Sequence, residues 1–345
     1  MKIWIDCLTP KQLLFYQILI DKIGKKHKIL FTSRVYGEVS GLMKIHGYKP
    51  VIVGKFGGGT RSGKLEAAVD RMDRLIRIVE RFAPDIVVSS TSPDAARIAF
   101  GLGIRHVAFS DAPHEVAIMK LTLPLTWRLL TPMAIPKEEF SKYGIDKKRI
   151  VRYNALDGAV TMKRDMGRKK SLPFLDNSKK NIVIRVEEEE ASYGSRSKKT
   201  VPIIRQIVAD HADQNIVILA RYAAQAKNLK KLFGKRARIV TMSYDGRHLL
   251  ENTDVFVGSG GTMTVESALM GVPTVSYRPI PNVIDDYLVK RRLARRGTGP
   301  ENISNHIRQI LRSSGDADRR RAEREVSKME DPFDVFLRVI SDPSK

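Results

Sequence analysis

Asp111, His114 and Glu115 are the most reactive group of residues in the first half of this sequence, and they directly follow the apolar run Arg105–Phe109. A carboxylate beside a histidine can transfer protons near neutral pH, so these residues could act as a general acid and base. The alternative is a helix-capping aspartate followed by two solvated polar residues. Residue types and spacing leave both interpretations open.

A second reactive stretch begins with the glycine turn Gly258–Gly261, which follows the apolar run Val255–Val257. The run is long enough for a buried parallel strand, and Thr262 or Thr264 can cap the helix after the turn. Such a turn directs amide N–H groups and the positive end of a helix dipole at one point, which suits a phosphate. Glu266, about one turn into the helix, could accept hydrogen bonds from sugar hydroxyls. Glycine turns also occur for packing alone.

Charged residues follow two further predicted strands. Arg221 comes after Ile216–Ala220, where its guanidinium could bind a diphosphate. The acidic run Glu187–Glu190 also follows a strand and could hold a metal or balance Arg185, but such runs are usually solvated. We therefore predict no metal site and no cofactor. The single cysteine, Cys7, rules out a disulfide framework and a cysteine-built zinc site.

Strands and helices in alternation must position these residues. In the first half, helical patterns separate short apolar runs, and Thr9 and Pro10 provide a cap and a first helical residue. This alternation predicts a parallel sheet with helices on both faces, whose ligands bind at the carboxyl ends of the strands. The predicted strands are Lys2–Asp6, His27–Phe31, Pro50–Val53, Ile86–Val88 and Arg105–Phe109.

Four connections should share the carboxyl edge of this sheet: Cys7–Thr9, Lys55–Lys64, Ser89–Asp94 and Ser110–Glu115. The second is rich in glycine and basic residues, but no Gly-Lys-Ser/Thr sequence closes it as in a P-loop. It is either a phosphate-binding loop or a flexible connection. A short helix is predicted over Glu38–His46.

The alternation returns in the second half, and 345 residues are too many for one ordinary core. The charged segment between the halves has no hydrophobic periodicity and is predicted to be a linker. We expect an N-terminal domain over residues 1–160, a linker over 161–180, a C-terminal domain over 181–320 and a helical tail over 321–345.

The formal net charge of +23 predicts attraction to polyanions, although a solvated basic surface is the alternative. No aromatic residues are interleaved with the basic clusters to stack bases, so nucleic acid is not an expected partner. The expected anionic partners are therefore anionic lipid and phosphorylated substrates. Because neither a signal peptide nor an apolar span of about 18 residues is visible, we expect a cytoplasmic protein, either soluble or peripheral to the inner face of the membrane.

The segment from Ser259 to Arg278, SGGTMTVESALMGVPTVSYR, resembles the donor-nucleotide motif of the GT-B superfamily. Glu266 stands five residues before Gly271, as the ribose-binding acid of that superfamily stands before its Gly-x-Pro. The resemblance implies two Rossmann-like doubly wound domains that face a cleft. It also implies that Ser259, Gly260, Gly261 and Thr262 meet the diphosphate of a nucleotide sugar, and that Glu266 binds its ribose.

The opening IWIDCLTPKQLLFYQILI, the helix SPDAARIAFGLGI and the Asp111–Glu115 loop are similar to a prokaryotic family known as a domain of unknown function. That family is usually grouped with nucleotide-sugar glycosyltransferases and the non-hydrolysing UDP-N-acetylglucosamine 2-epimerases. The region around Asp111 is also similar to the epimerase segment that carries catalytic acids. Asp6–Pro10 stands in place of the epimerases' opening Gly-Thr-Arg-Pro-Glu loop, and the glycine-rich N-terminal loop of the peptidoglycan lipid-linked transferase is absent.

These resemblances lead to three hypotheses. The first is a glycosyltransferase with a nucleotide-sugar donor of the UDP class, in which Arg221 assists at the diphosphate and the acceptor is anionic or lipid-linked. In this hypothesis Asp111 or His114 deprotonates the acceptor. The second is a sugar-nucleotide epimerase that uses Asp111, His114 and Glu115 to remove and return a proton. The third is a non-catalytic polyanion-binding protein.

Overall fold

The computed structural model describes residues 1–36, 42–43, 46–163, 172–187, 200–241, 244–277, 282–313 and 315–341. The chain divides into two compact units, Met1–Arg164 with Glu330–Lys345, and Asp165–Met329. Most of the helix predicted over Glu38–His46, most of the acidic run Glu187–Glu190 and the middle of the predicted linker lie outside the described residues.

The first unit is built on a seven-stranded parallel sheet of order β3-β2-β1-β4-β5-β6-β7. The chain moves outward from β1 to one edge and returns to build the other edge from β4, so the order reverses between β1 and β4. In sheets of this kind ligands bind at that reversal, outside the carboxyl ends of the strands. The strands are β1 Lys2–Asp6, β2 Lys28–Val35, β3 Val51–Lys55, β4 Ile86–Ser89, β5 Arg105–Phe109, β6 Arg128–Pro132 and β7 Ile150–Tyr153.

Helices cover both faces of this sheet because adjacent residues of a strand point to opposite sides. Trp4 is fully buried against α2 and α3 on one face. On the other face Phe109 packs with Phe15 of α1 and Phe333 of α14, with ring centroids 4.8–6.1 Å apart. The helices of this unit are α1 Pro10–Ile23, α2 Arg61–Phe82, α3 Pro93–Gly101, α4 Val116–Thr122, α5 Glu138–Ser141, α6 Asp157–Thr161 and α14 Pro332–Ser341, with 3₁₀ turns at Leu123–Leu125 and Lys147–Arg149.

The second unit repeats this plan with a six-stranded parallel sheet of order β10-β9-β8-β11-β12-β13. Its order reverses between β8 and β11, and β11 leads into the predicted glycine turn. The strands are β8 Asn181–Arg185, β9 Asn215–Leu219, β10 Arg238–Val240, β11 Val255–Gly258, β12 Thr274–Ser276 and β13 Arg295–Arg296. The helices are α7 Thr200–Asp210, α8 Ala223–Phe233, α9 Gly246–Glu251, α10 Thr262–Leu269, α11 Val283–Lys290, α12 Pro300–Leu311 and α13 Asp316–Val326.

The tail predicted from residue 321 onward does not form a segment of its own. Helix α13 belongs to the second unit, whereas α14 packs on the first. Lys22 of α1 holds the start of α14 through Asp331 at 2.7 Å and Asp334 at 2.6 Å. Within the described ranges, no helix is both long enough and apolar enough to cross a bilayer.

Candidate functional site

The glycine turn of the second unit leaves the amino end of α10 open. Gly260 and Gly261 have φ values of +83° and +99°, which favour glycine. A Cβ on Gly258 would lie 2.3 Å from Thr264 Oγ1, so close packing requires glycine there. A Cβ on Gly261 would meet no heavy atom within 4 Å. The predicted cap at Thr262 or Thr264 is wrong: both threonines lie inside α10 and the N-cap residue is Gly261, so no side chain at that position accepts hydrogen bonds from the first turn.

Glu266 lies inside the second unit, with 6% of its surface exposed. Its Oε2 would lie 3.9 Å from a Cβ at Gly246, so the carboxylate faces the start of α9. Asp245 caps that helix by accepting hydrogen bonds from the backbone N–H groups of Arg247 at 2.8 Å and His248 at 3.2 Å. The turn and the carboxylate thus share the carboxyl edge of this sheet.

Arg221 and Ser259 meet around Tyr277, the residue after β12. Arg221 Nε donates a hydrogen bond to the carbonyl of Val186 at 3.3 Å, beyond the end of β8. The Tyr277 hydroxyl lies 3.2 Å from Thr200 Oγ1. Burial raises the pKa of Tyr277, while a side-chain hydrogen bond with Ser259 and the charge of Arg221 oppose that shift. Sequence reasoning did not select Tyr277, although it follows a strand as Arg221 does.

Gly271 and Pro273 serve packing at the opposite edge of the sheet. A Cβ on Gly271 would lie 2.6 Å from the Cα of Arg319, so glycine lets α13 pack closely. A cavity of about 260 Å³ opens at this amino-terminal edge, with Lys180 and Arg319 in its lining. It lies away from the predicted diphosphate site.

In the first unit, an ion-pair network surrounds Asp111. Lys11 Nζ, in the first turn of α1, contacts Asp111 Oδ2 and lies 3.0 Å from Asp157 Oδ2. Tyr153 donates a hydrogen bond to the other Asp157 oxygen at 2.6 Å. Burial alone would lower the pKa of Lys11, but the two carboxylates raise it. Lys11 is therefore a fixed cation that orients Asp111.

Glu115 and His114 share the electrostatic environment of Asp111. Burial, and then the charge of Asp111, raise the pKa of Glu115 to about 7. Burial also lowers the pKa of His114, so its imidazole is neutral at pH 7. The structure thus brings the three predicted acid–base residues together. A group that titrates near neutral pH can both take up and release a proton.

Sequence reasoning missed Lys11, Asp157 and Tyr153. Lys11 carried one local signal, since a cation in the first turn of a helix opposes the helix dipole. Asp157 begins a short helix soon after β7. Its proximity to Asp111 depends on the strand order.

A buried Arg71 links the carboxyl end of β1 to the first turn of α3, which follows β4, through ion pairs with Asp6 and Asp94. Arg71 is 1% exposed and Asp6 is fully buried. Arg71 Nη2 lies 2.5 Å from Asp6 Oδ1, and Nη1 lies 2.9 Å from Asp94 Oδ2 in the first turn of α3. The hydroxyls of Ser92 and Thr32 also donate to Asp6, at 2.8 and 2.6 Å. This network fixes the point where the strand order reverses.

The turn after β4 carries a strained residue at the same edge. Thr91 has a φ of +50°, a conformation that non-glycine residues adopt mainly where the surrounding structure imposes it. Thr122 Oγ1 donates to the Thr91 carbonyl at 3.2 Å, and Ser90 Oγ donates to the Tyr16 hydroxyl at 2.9 Å. In the described ranges, no group of three or more His, Cys, Asp or Glu side chains is arranged to hold a metal ion.

One family model and one curated protein are similar to this chain in sequence. The model of a family described as Protein of unknown function (DUF354) matches residues 1–345. An uncharacterised protein of Methanocaldococcus jannaschii is 28% identical over 348 residues, an alignment that covers 97% of this chain and 96% of that protein.

The solved structures most relevant to the site have the GT-B fold. The UDP-GlcNAc 2-epimerase of Neisseria meningitidis, bound to UDP-GlcNAc, superposes with a TM-score of 0.77 at 14% identity and 99% coverage of both chains. The Methanocaldococcus jannaschii UDP-GlcNAc 2-epimerase in complex with UDP-GlcNAc and UDP superposes with a TM-score of 0.72 at 16% identity, again over 99% of both chains. The glycotransferase of kitacinnamycin superposes with a TM-score of 0.62 at 15% identity, over 94% of this chain and 95% of that one. At these identities the likeness shows the fold alone.

Proposed function

The chain belongs to the DUF354 family, and we propose that it is a glycosyltransferase that uses a nucleotide-sugar donor of the UDP class. The observation that carries this proposal is the open amino end of α10 together with the buried Glu266. Two solved structures of the same fold contain UDP-GlcNAc. The second unit would therefore bind the donor, with the amides of Ser259–Thr262 at the diphosphate and Glu266 at the ribose.

Transfer breaks the bond between the anomeric carbon and the diphosphate, and the leaving diphosphate takes the electron pair. The amides at the turn and the guanidinium of Arg221 are fixed positive groups that would stabilise this charge as it develops. The acceptor hydroxyl forms the new bond to the anomeric carbon and gives up its proton. In this proposal Glu115 accepts that proton, because its pKa of about 7 suits a base near neutral pH.

The charge of the chain bears on the acceptor. A net charge of +23 favours an anionic acceptor, either free or carried on a lipid at an anionic membrane surface. No cofactor enters this proposal, since the nucleotide sugar is a substrate.

Epimerisation of a UDP-sugar is the second candidate function, and the group around Asp111 favours it. An epimerase must remove a proton and return one, and Glu115, Asp111 and the neutral His114 offer three groups for those two roles. The donor site would be the same in both functions. They differ in the reaction: in transfer an acceptor hydroxyl attacks the anomeric carbon and the diphosphate leaves, whereas in epimerisation a proton is removed from a sugar carbon and returned to it.

Incubation of the full chain with UDP-GlcNAc, with and without phosphorylated acceptors, separates the two functions. A transferase should release UDP only when an acceptor is present. Release of UDP without acceptor, or an epimerised sugar nucleotide detected by chromatography, would assign the second function. Failure of both UDP and UDP-GlcNAc to bind in calorimetry would overturn the proposal.

A further inference from the structure

Arg34 lies against two aromatic rings at the carboxyl edge of the first unit. Its guanidinium carbon is 5.6 Å from the ring centroid of Tyr36 and 5.3 Å from that of Phe56. The two rings meet edge to face, with centroids 5.0 Å apart. We call Arg34, Tyr36 and Phe56 the arginine platform. Stacking on the rings restricts the plane of the guanidinium without using its N–H donors.

The charge of Arg34 has no acidic partner among the residues that the structure describes. The two acids in its electrostatic environment, Asp6 and Asp94, both pair with Arg71. Arg34 Nε is buried and has no hydrogen-bond acceptor within the described ranges. Burial, and then the charge of Arg71, lower the pKa of Arg34, but a guanidinium stays charged at neutral pH. A half-buried guanidinium without an acidic partner is costly, and an anion bound at its outer Nη groups would offset that cost.

The glycine-rich loop beside the platform adds backbone that an anion can approach. Phe56 leads into Gly57, where a Cβ would lie 2.1 Å from the Gly63 carbonyl oxygen, so the loop is fixed against the first turn of α2. Gly58 has a φ of +76°, and a Cβ there would meet no heavy atom within 4 Å. The first turn of α2 contains no acidic residue. Around Gly58 the backbone is therefore accessible, and the first turn of α2 places no carboxylate beside it.

We propose that the arginine platform binds the phosphoryl group of the acceptor substrate. This inference rests on the proposed function, since a transferase needs a second substrate and an epimerase does not. A guanidinium presents paired donors that match two phosphoryl oxygens, which a lysine cannot do. The platform also lies on the sheet edge where ligands of such units bind. Two strands, β1 and β4, stand between the β2 strand of Arg34 and the β5 strand that leads to Glu115.

A phosphate titration of the full chain tests the platform. The unfolding temperature is measured as a function of the concentration of inorganic phosphate, in the presence and absence of UDP. Sodium chloride keeps the ionic strength constant. Arg34→Gln should weaken phosphate binding by about 10-fold or more, and Arg34→Lys by less, because lysine keeps the charge and loses the paired donors. Circular dichroism establishes that each variant is folded.

Arg105→Gln is the matched control. Arg105 also stacks on an aromatic ring, with its guanidinium 4.8 Å from the centroid of Trp127, but it lies at the amino end of β5. Its loss removes the same charge, so phosphate affinity should stay within about twofold of the wild type if the site is specific. Equal losses in Arg34→Gln and Arg105→Gln would overturn the proposal, as would wild-type protein without saturable phosphate binding.

Vesicles distinguish a lipid phosphate from a soluble one. Sedimentation with phosphatidylcholine vesicles, with and without phosphatidic acid, is compared for wild type and Arg34→Gln. Binding to phosphatidic acid that depends on Arg34 assigns a lipid-linked acceptor, and free phosphate binding alone assigns a soluble one. UDP affinity is measured separately. Wild-type protein that does not bind UDP would refute the donor site. Wild-type protein that binds UDP, with phosphate affinity unchanged by Arg34→Gln, would refute the platform.

Discussion

Glu266→Ala is the sharpest test of the donor site. The carboxylate is 6% exposed and lies one turn into α10, behind the open turn at Gly261. If it binds the ribose, it accepts hydrogen bonds from ribose hydroxyls in a site from which most water is excluded. Alanine removes both acceptor oxygens and is the strongest helix former, so α10 should remain folded.

The size of the effect follows from the burial of the carboxylate. A hydrogen bond to a charged group contributes more than a neutral one, and a ligand hydroxyl left without its acceptor also loses its hydration. We expect UDP binding to weaken by about 1–3 kcal/mol, which is about 5- to 150-fold in the dissociation constant. Glu266→Gln should weaken binding by less, because the amide retains one acceptor oxygen.

Isothermal titration calorimetry with UDP measures the effect, and circular dichroism checks the fold. Glu301→Ala is the control, since Glu301 is an exposed acid in the first turn of α12 in the same unit. Its loss changes the net charge equally and should leave UDP affinity within about twofold. Wild-type affinity in Glu266→Ala would remove Glu266 from the site and would refute the ribose assignment.

Three further predictions concern the other elements of the proposed site. Activity should fall below about pH 7, where Glu115 becomes protonated. Asp111→Asn should move this fall to lower pH, because the charge of Asp111 helps to raise the pKa of Glu115. A fall at the same pH in the variant and the wild type would contradict this assignment. Asp6→Asn should lower the free energy of unfolding of the first unit by about 3–5 kcal/mol, because it leaves the buried Arg71 with Asp94 alone, whereas the exposed Asp70→Asn should cost less than about 0.5 kcal/mol in urea titrations. Burial would raise the pKa of Asp6, but Arg71 lowers it, so this contribution is present above the ordinary pKa of 3.8 and is lost as pH falls through the lower native value. Gly261→Ala should strain the turn by about 1–3 kcal/mol and weaken UDP binding, whereas Gly59→Ala should leave it unchanged; equal UDP affinities would contradict the role of the turn.

Local patterns in the sequence predict much of the fold. Strands β1 and β5 have their predicted bounds, because short apolar runs between turn residues are a local signal. The helix cap at Thr9 and the positive φ of Gly261 also follow from residue type. The tail differs from its prediction because the apolar face of α14 finds its partner in Phe15, more than 300 residues earlier in the chain.

Contacts between residues that are far apart in the sequence could not be predicted from local patterns. Lys11 and Asp111 are 100 residues apart, and only the order of the strands brings them together. Arg71 was missed because arginine is usually solvated. A periodic signal did exist, since Arg71, Leu75 and Val79 recur every four residues on the buried face of α2. A charged residue in register with an apolar stripe therefore predicts a buried ion pair.

The ion-pair network suggests which carboxylate acts and which one prepares the site. Asp111 contacts Lys11, so a proton placed on it would disrupt an ion pair that also includes Asp157. Glu115 forms no ion pair with any residue that the structure describes, and burial, followed by the charge of Asp111, raises its pKa to about 7. Asp111 and Glu115, four residues apart, can therefore take different roles, because Lys11 contacts Asp111 directly and acts on Glu115 only through its charge. By this reasoning Glu115 exchanges the proton in the proposed transferase, and Asp111 sets the pH at which it does so.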